Sequence, residues 1–118
     1  MTDTAPIEEI QSLLVEDFSI FDNWMDKYEL IIQLGKELPL IDEQFKTDDN
    51  IIKGCQSRVW LHAEQIDSKV IFTADSDAII TKGLVSLIVK VLSGHTPKEI
   101  VEANLHFIDE IGLQQHLS

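Results

Sequence analysis

A chain of 118 residues with 44% hydrophobic and 25% charged residues has the composition of one globular domain. Its 21 acids against 9 bases give a net charge of −12, a field that repels phosphate backbones and anionic lipid and so argues against nucleic-acid and membrane-surface binding. The single cysteine excludes an intramolecular disulfide and a four-thiolate zinc or iron–sulfur site built from this chain alone.

The start, Met1-Thr2-Asp3-Thr4, has neither the basic nor the apolar region of a signal peptide, and no apolar run approaches the ~18 residues of a membrane helix. A cytoplasmic protein is therefore expected. Thr4 or Asp3 as cap, Pro6, and the acids Glu8 and Glu9 predict a first helix. Ile7, Ile10, Leu14 and Phe18 supply its apolar face, and it is expected to run to about Asp17. Asp22 is the expected cap of a second helix, whose stripe holds Trp24, Tyr28, Ile31, Ile32 and Leu38 and which Pro39 ends. Gly35 falls inside that stripe at a propensity cost of ~1 kcal/mol, which points to close helix packing there.

Residues 40–54 read as an irregular loop, with Thr47-Asp48-Asp49-Asn50 as its clearest signal. The period then becomes two: Val59, Leu61 and Ala63, and again Val70, Phe72 and Ala74, predict two antiparallel strands around a turn at 65–68. Apolar residues on both faces require helices on at least one side. Ser76 is a plausible cap for a long apolar helix over 77–92, closed at Gly94 and central to the core. Thr96-Pro97-Lys98-Glu99 is a capping box that opens a short helix through Ala103. A last helix is expected from Leu105 to Ile111, stopped by Gly112. The order predicts an α+β fold, a small antiparallel sheet with helices packed against it.

Charge is uneven along the chain. Residues 1–50 hold 13 acids and 3 lysines, whereas 51–118 hold 8 acids and 6 bases. The acid-rich part reads as a solvated face or as a docking surface for a basic partner. Cys55 lies in the milder part, just after Gly54 and between the cations Lys53 and Arg58. Nearby positive charge lowers a thiol pKa from about 8.5 and makes it more reactive. A buried structural cysteine fits the same residue type. A cysteine hydrolase would need a base from His62, His95, His106 or His116, none of which stands in a local signature, and their spacing with Cys55 gives no zinc pattern. Ser76 and Asp77 are accounted for by helix capping, and Lys82-Gly83 lacks the preceding glycines of a phosphate loop.

The segment Ile52-Lys53-Gly54-Cys55-Gln56-Ser57-Arg58-Val59-Trp60-Leu61 resembles the active-cysteine segment of the SufE family, sulfur acceptors for cysteine desulfurases. The resemblance extends through Trp24-Met25-Asp26-Lys27-Tyr28, Ile31-Ile32, Leu34-Gly35 and Leu38-Pro39. It returns in Asp75-Ser76-Asp77-Ala78, Ile80, Lys82-Gly83-Leu84, Gly94, Thr96-Pro97 and Ile100, then in Leu113 and His116-Leu117-Ser118. It spans nearly the whole chain as one SufE-like domain, 1–118, with the SufE/IscU-like fold. Family members usually continue past the His-Leu-Ser end into a further helix, so the chain is expected to lack that C-terminal segment.

What the resemblance implies is sulfur relay. A PLP-dependent, SufS-like cysteine desulfurase would pass persulfide sulfur to Cys55, and the chain would stimulate that enzyme and deliver sulfur to an iron–sulfur scaffold complex. Gly54, Gln56, Ser57 and Arg58 map onto the loop around the acceptor, and Asp77 and Lys82 onto family positions close to it. No cofactor is expected on the chain itself, and its acidic surface favours a monomer. Cys55 is expected at a loop tip against an apolar pocket. The alternative within the same family is a non-covalent adaptor or regulator of a desulfurase, working without a sulfur-carrying thiol.

Overall fold

The computed structural model describes residues 5–52 and 57–112. Helix α1 spans Ile7–Ser19 and α2 spans Trp24–Gly35. Two short 3-10 turns, Glu43–Phe45 and Asp48–Asn50, precede strands β1 (Val59–Ile66) and β2 (Lys69–Ser76). Helices α3 (Ile79–Leu92), α4 (Pro97–Glu102) and α5 (Phe107–Ile111) follow. The α+β class is the one expected.

The strands form one antiparallel hairpin, with Val59 opposite Ser76, Trp60 opposite Asp75 and Leu61 opposite Ala74. Its turn is only two residues, Asp67 and Ser68, both at positive φ (51° and 74°). That is the twist a two-residue hairpin loop requires, here reached without glycine. The other edge of β2 is also partnered: Leu40 bridges Ala74 in parallel, and Val70 donates to the His95 carbonyl at 2.8 Å.

Helix α3 carries two apolar faces because its sequence is hydrophobic around most of its circumference. Leu84, Leu87 and Val91 join Leu14 and Phe18 of α1, Ile31 of α2, and Phe107 and Ile111 of α5 in the larger core. Val89 packs with Leu38 and Ala74 beneath the sheet, together with Val85, Leu61 and Phe72. Helices α2 and α3 meet at two glycines. A Cβ on Gly35 would lie 3.0 Å from the Gly83 nitrogen, and one on Gly83 would lie 2.3 Å from the Ile31 carbonyl oxygen. Close packing at Gly35 is borne out.

Several boundaries differ from those expected, each for a local reason. Asn23, not Asp22, caps α2: its Oδ1 accepts from the Asp26 N–H at 3.0 Å. That helix stops at Gly35, so Leu38 lies beyond it and reaches the core beneath the sheet. Helix α1 has Pro6 at its N-cap position without a side-chain cap, while Asp3 and Thr4 lie outside the described residues. Helix α3 starts at Ile79 after an uncapped Ala78, and Ser76 belongs to β2. The capping box is present as expected, with the Thr96 hydroxyl accepting from Glu99 N–H and Glu99 Oε1 accepting from Thr96 N–H.

The α1–α5 side is held by polar groups that periodicity does not reveal. Gln11 is fully buried, donating to Asn104 O at 2.9 Å and accepting from Phe107 N–H at 3.1 Å. His106 has Glu8 of α1 2.8 Å from its Nε2 and Glu110 of α5 on its Nδ1. His95 lies where its backbone bridges Val70 of β2 and is buried, its Nε2 2.8 Å from the Ala5 carbonyl.

Candidate functional site

Cys55, Gly54 and Gln56 lie outside the described residues, as does Lys53, so the expected loop tip and apolar pocket fall there too. The described residues fix what brackets them. On the entry side, Ile51 bridges Trp60 in antiparallel fashion, and Ile52 N–H donates to the Val59 carbonyl at 2.9 Å. The chain positions just before and just after the cysteine segment are therefore pinned to each other.

On the exit side the backbone of Arg58 is held at both polar groups. Its N–H donates to Asp77 Oδ1 at 3.1 Å, and its carbonyl accepts from the Ser76 hydroxyl at 2.8 Å and from Asp77 N–H at 3.3 Å. Ser57 meets α3 through the Thr81 hydroxyl at 3.4 Å. Ser76 and Asp77 thus brace the residue that leaves the cysteine segment; Ser76 Oγ also accepts from the Ala78 N–H at 3.3 Å, but neither residue is the cap of α3, a correction to the capping reading. The same short polar side chains serve a helix start or a remote backbone, and only the fold decides which. Among the expected site residues, Ser57, Arg58 and Asp77 come together in this brace. The Arg58 side chain itself is exposed.

Lys82 belongs to an adjoining network. Its Nζ lies 3.5 Å from Asp75 Oδ1, while Lys46 Nζ donates to Asp75 Oδ2 at 2.9 Å. The Lys46 ammonium also stands 4.7 Å from the centre of the Trp60 ring. Burial pushes the Asp75 carboxyl upward, but the hydrogen bonds from Lys46 and from the Ser76 N–H, with both ammonium charges, hold it below the usual carboxylate range. The hydrogen bond to Asp75 correspondingly raises Lys46. Sequence reading missed Lys46 and quoted Trp60 only as part of the motif. The available signal was that Lys46 is the one cation in an acidic stretch that holds Asp42, Glu43, Asp48 and Asp49.

Among the described residues, His62, His95 and His106 lie apart in the fold and do not gather with one another, and His116 lies outside those residues. His62 is half-buried on β1, its ring stacked 3.8 Å from that of Phe45. His106 binds the two glutamates of the α1–α5 junction. Among the described residues no three His, Cys, Asp or Glu side chains gather as metal ligands, and no helix is long and apolar enough to cross a membrane. Chemically, the region offers a thiol-bearing segment with pinned ends, an exposed guanidinium, and exposed apolar side chains at Ile52 and Ile79.

Comparison with known proteins agrees with the motif reading. The family described as SufE, the Fe-S metabolism associated domain, matches residues 12–118. The "SufE-like protein 1, chloroplastic/mitochondrial" of Arabidopsis thaliana is 42% identical over 120 residues, covering 98% of this chain and 32% of the plant protein. An uncharacterized SufE-like protein of Rhizobium meliloti is 39% identical over 110 residues, covering 89% of this chain and 79% of the bacterial one. The chain therefore spans about a third of the length of the plant relative.

Proposed function

The chain belongs to the SufE family of Fe-S metabolism, and from that premise we propose that it is a sulfur acceptor and carrier with Cys55 as the accepting thiol. A PLP-dependent, SufS-like cysteine desulfurase holds the incoming sulfur as a persulfide on its own cysteine. The Cys55 thiolate attacks the outer sulfur, a new S–S bond forms on Cys55, and the desulfurase S–S bond breaks with its electron pair leaving on the enzyme's thiolate. The exchange is redox-neutral and needs no general-base triad, only a nucleophilic thiolate and access. The Cys55 persulfide is then passed by the same exchange to an iron–sulfur scaffold complex, and uptake of sulfur stimulates the desulfurase. The chain contributes no cofactor of its own to this relay and acts as a monomer.

The observation that carries this reading is the place of the only cysteine. It stands between Ile52 and Ser57, in a segment whose ends are tied by the Ile52–Val59 hydrogen bond and braced by Ser76, Asp77 and Thr81. Such a mounting lets a short segment enter another enzyme's site while the sheet stays unchanged. A lone thiol also has no resolving partner that would discharge the persulfide as an internal disulfide. Gly54 and Gln56 share the segment with Cys55. The exposed Ile52, Arg58 and Ile79 beside it supply an apolar and cationic contact surface for the desulfurase.

Desulfurase turnover measured with and without the chain, and with Cys55→Ser, tests this. A carrier loses its stimulation with the thiol while still binding the enzyme. Full stimulation by Cys55→Ser would replace the carrier with a non-covalent adaptor.

A further inference from the structure

We propose that Asp75, gripping Lys46 on one side and Lys82 on the other, is a positioning residue that holds the Ile51–Ile52 entry to the Cys55 segment in register on β1; the functional part of this inference rests on the sulfur-acceptor reading. The network joins four separate pieces of chain. Lys46 comes from the irregular segment over the sheet, Trp60 from β1, Asp75 from β2 and Lys82 from α3. Trp60 and Asp75 are direct cross-strand neighbours, so the Lys46 ammonium is seated on both at once.

The side chains are largely withdrawn from water, at 17% exposure for Asp75, 25% for Lys46 and 29% for Lys82. Two lysines held on one half-buried carboxylate lose more side-chain freedom than a solvated pair would, and exposed pairs of that kind contribute little. What they gain is connection. From Lys46 the chain runs through the 3-10 turn at Asp48–Asn50 to Ile51 and Ile52, which the Trp60 bridge and the Ile52 N–H···O bond to Val59 hold on β1. Ile52 is itself 39% exposed, so its apolar packing is incomplete. The exit side has its own brace at Arg58, whereas the entry side hangs from Lys46. With Asp75 uncharged, two ammonium groups face each other across the site, Lys46 leaves the Trp60 face, and the Ile52–Val59 pairing opens more often.

The test uses the full chain and two variants, Asp75→Asn and Lys46→Met. The asparagine keeps an oxygen for the Ser76 N–H, which now bonds Asp75 Oδ1 at 2.8 Å. The methionine keeps an apolar stem over Trp60. Amide hydrogen exchange should rise on the order of tenfold at Ile52 in both variants, while the amides of Leu14 and Phe18 in α1 keep their protection. With a cysteine desulfurase and free cysteine, the KM for each variant as sulfur acceptor should rise with kcat little changed, and Asp75→Glu should recover most of the loss.

The two substitutions change local charge in opposite directions, so effects of opposite sign would mean that the network acts through its field on the thiol and would overturn positioning. Unchanged exchange at Ile52, or an equal rise at Leu14 and Phe18, would overturn it as well. Failure of the unsubstituted chain to accept sulfur would instead refute the carrier reading, and exchange at Ile52 decides the anchoring independently of it.

Discussion

Gly83→Ala probes the helix contact on which the site is mounted. Elsewhere in a helix, alanine in place of glycine stabilises by about 1 kcal/mol. Here the added methyl would stand 2.3 Å from the Ile31 carbonyl oxygen and 2.4 Å from Ile31 Cγ2, with the Ile31 carbonyl carbon at 2.8 Å. The obstacle is mostly backbone of a helix whose Ile31 side chain is fully buried, so α2 and α3 must move apart. Overpacking of this kind costs ~1–3 kcal/mol, and contact with backbone places it at the upper end. Set against the propensity gain, a net loss of about 2 kcal/mol is expected, a fall in Tm of roughly 8 °C for a domain of this size. Gly35→Ala meets the Gly83 nitrogen at 3.0 Å, needs only a small adjustment, and should cost less. Thermal unfolding followed by circular dichroism, with urea titration for the free energies, gives both values. A Gly83→Ala protein as stable as the parent or more so would refute the close-approach argument. Because Thr81 and Lys82 directly precede Gly83, the same substitution should also impair sulfur uptake.

Three further outcomes follow from particular groups. Gln11→Ala leaves the Phe107 N–H and the Asn104 carbonyl without their partner in a buried place, a loss of about 2–4 kcal/mol visible in urea unfolding. Hydrogen bonds donated to Glu110 and Glu8 raise the His106 pKa above its ordinary 6.5. Its contribution to stability is therefore complete below the unfolded value and is lost as pH rises through the folded one, and His106→Gln should remove that slope from unfolding midpoints taken between about pH 6 and pH 9. Thr96→Ala removes the hydroxyl half of the capping box and should cost ~1 kcal/mol, read from the same unfolding curves.

Much of the fold was legible because its signals are local. The capping box at Thr96, the alternation through Val59–Ala63 and the apolar length of α3 each depend on residues within a turn or two of one another. Gly35 could be read as a packing position, but its counterpart Gly83 lies in another helix and was not paired with it in advance. Polar residues with distant partners were the ones misread. Ser76 and Asp77 have the composition of a helix start, yet their partner is the backbone of Arg58, 18 and 19 residues away. Lys46 lies in the segment read only as an irregular loop, and its anchor Asp75 is 29 residues further on. Gln11 is fully buried because Asn104 and Phe107 satisfy its amide across more than 90 residues. The family motif around Cys55 needed no such long-range knowledge, since its residues are contiguous.

The central claim is that Cys55 carries sulfur, and intact-protein mass spectrometry tests it most directly. The chain and its Cys55→Ser variant are incubated with a cysteine desulfurase and free cysteine, then weighed before and after reduction. The account predicts a gain of one or more sulfur atoms on the unsubstituted chain, reversed by reductant and absent from Cys55→Ser. An unchanged mass while desulfurase turnover is still stimulated, or an equal gain on Cys55→Ser, would contradict it.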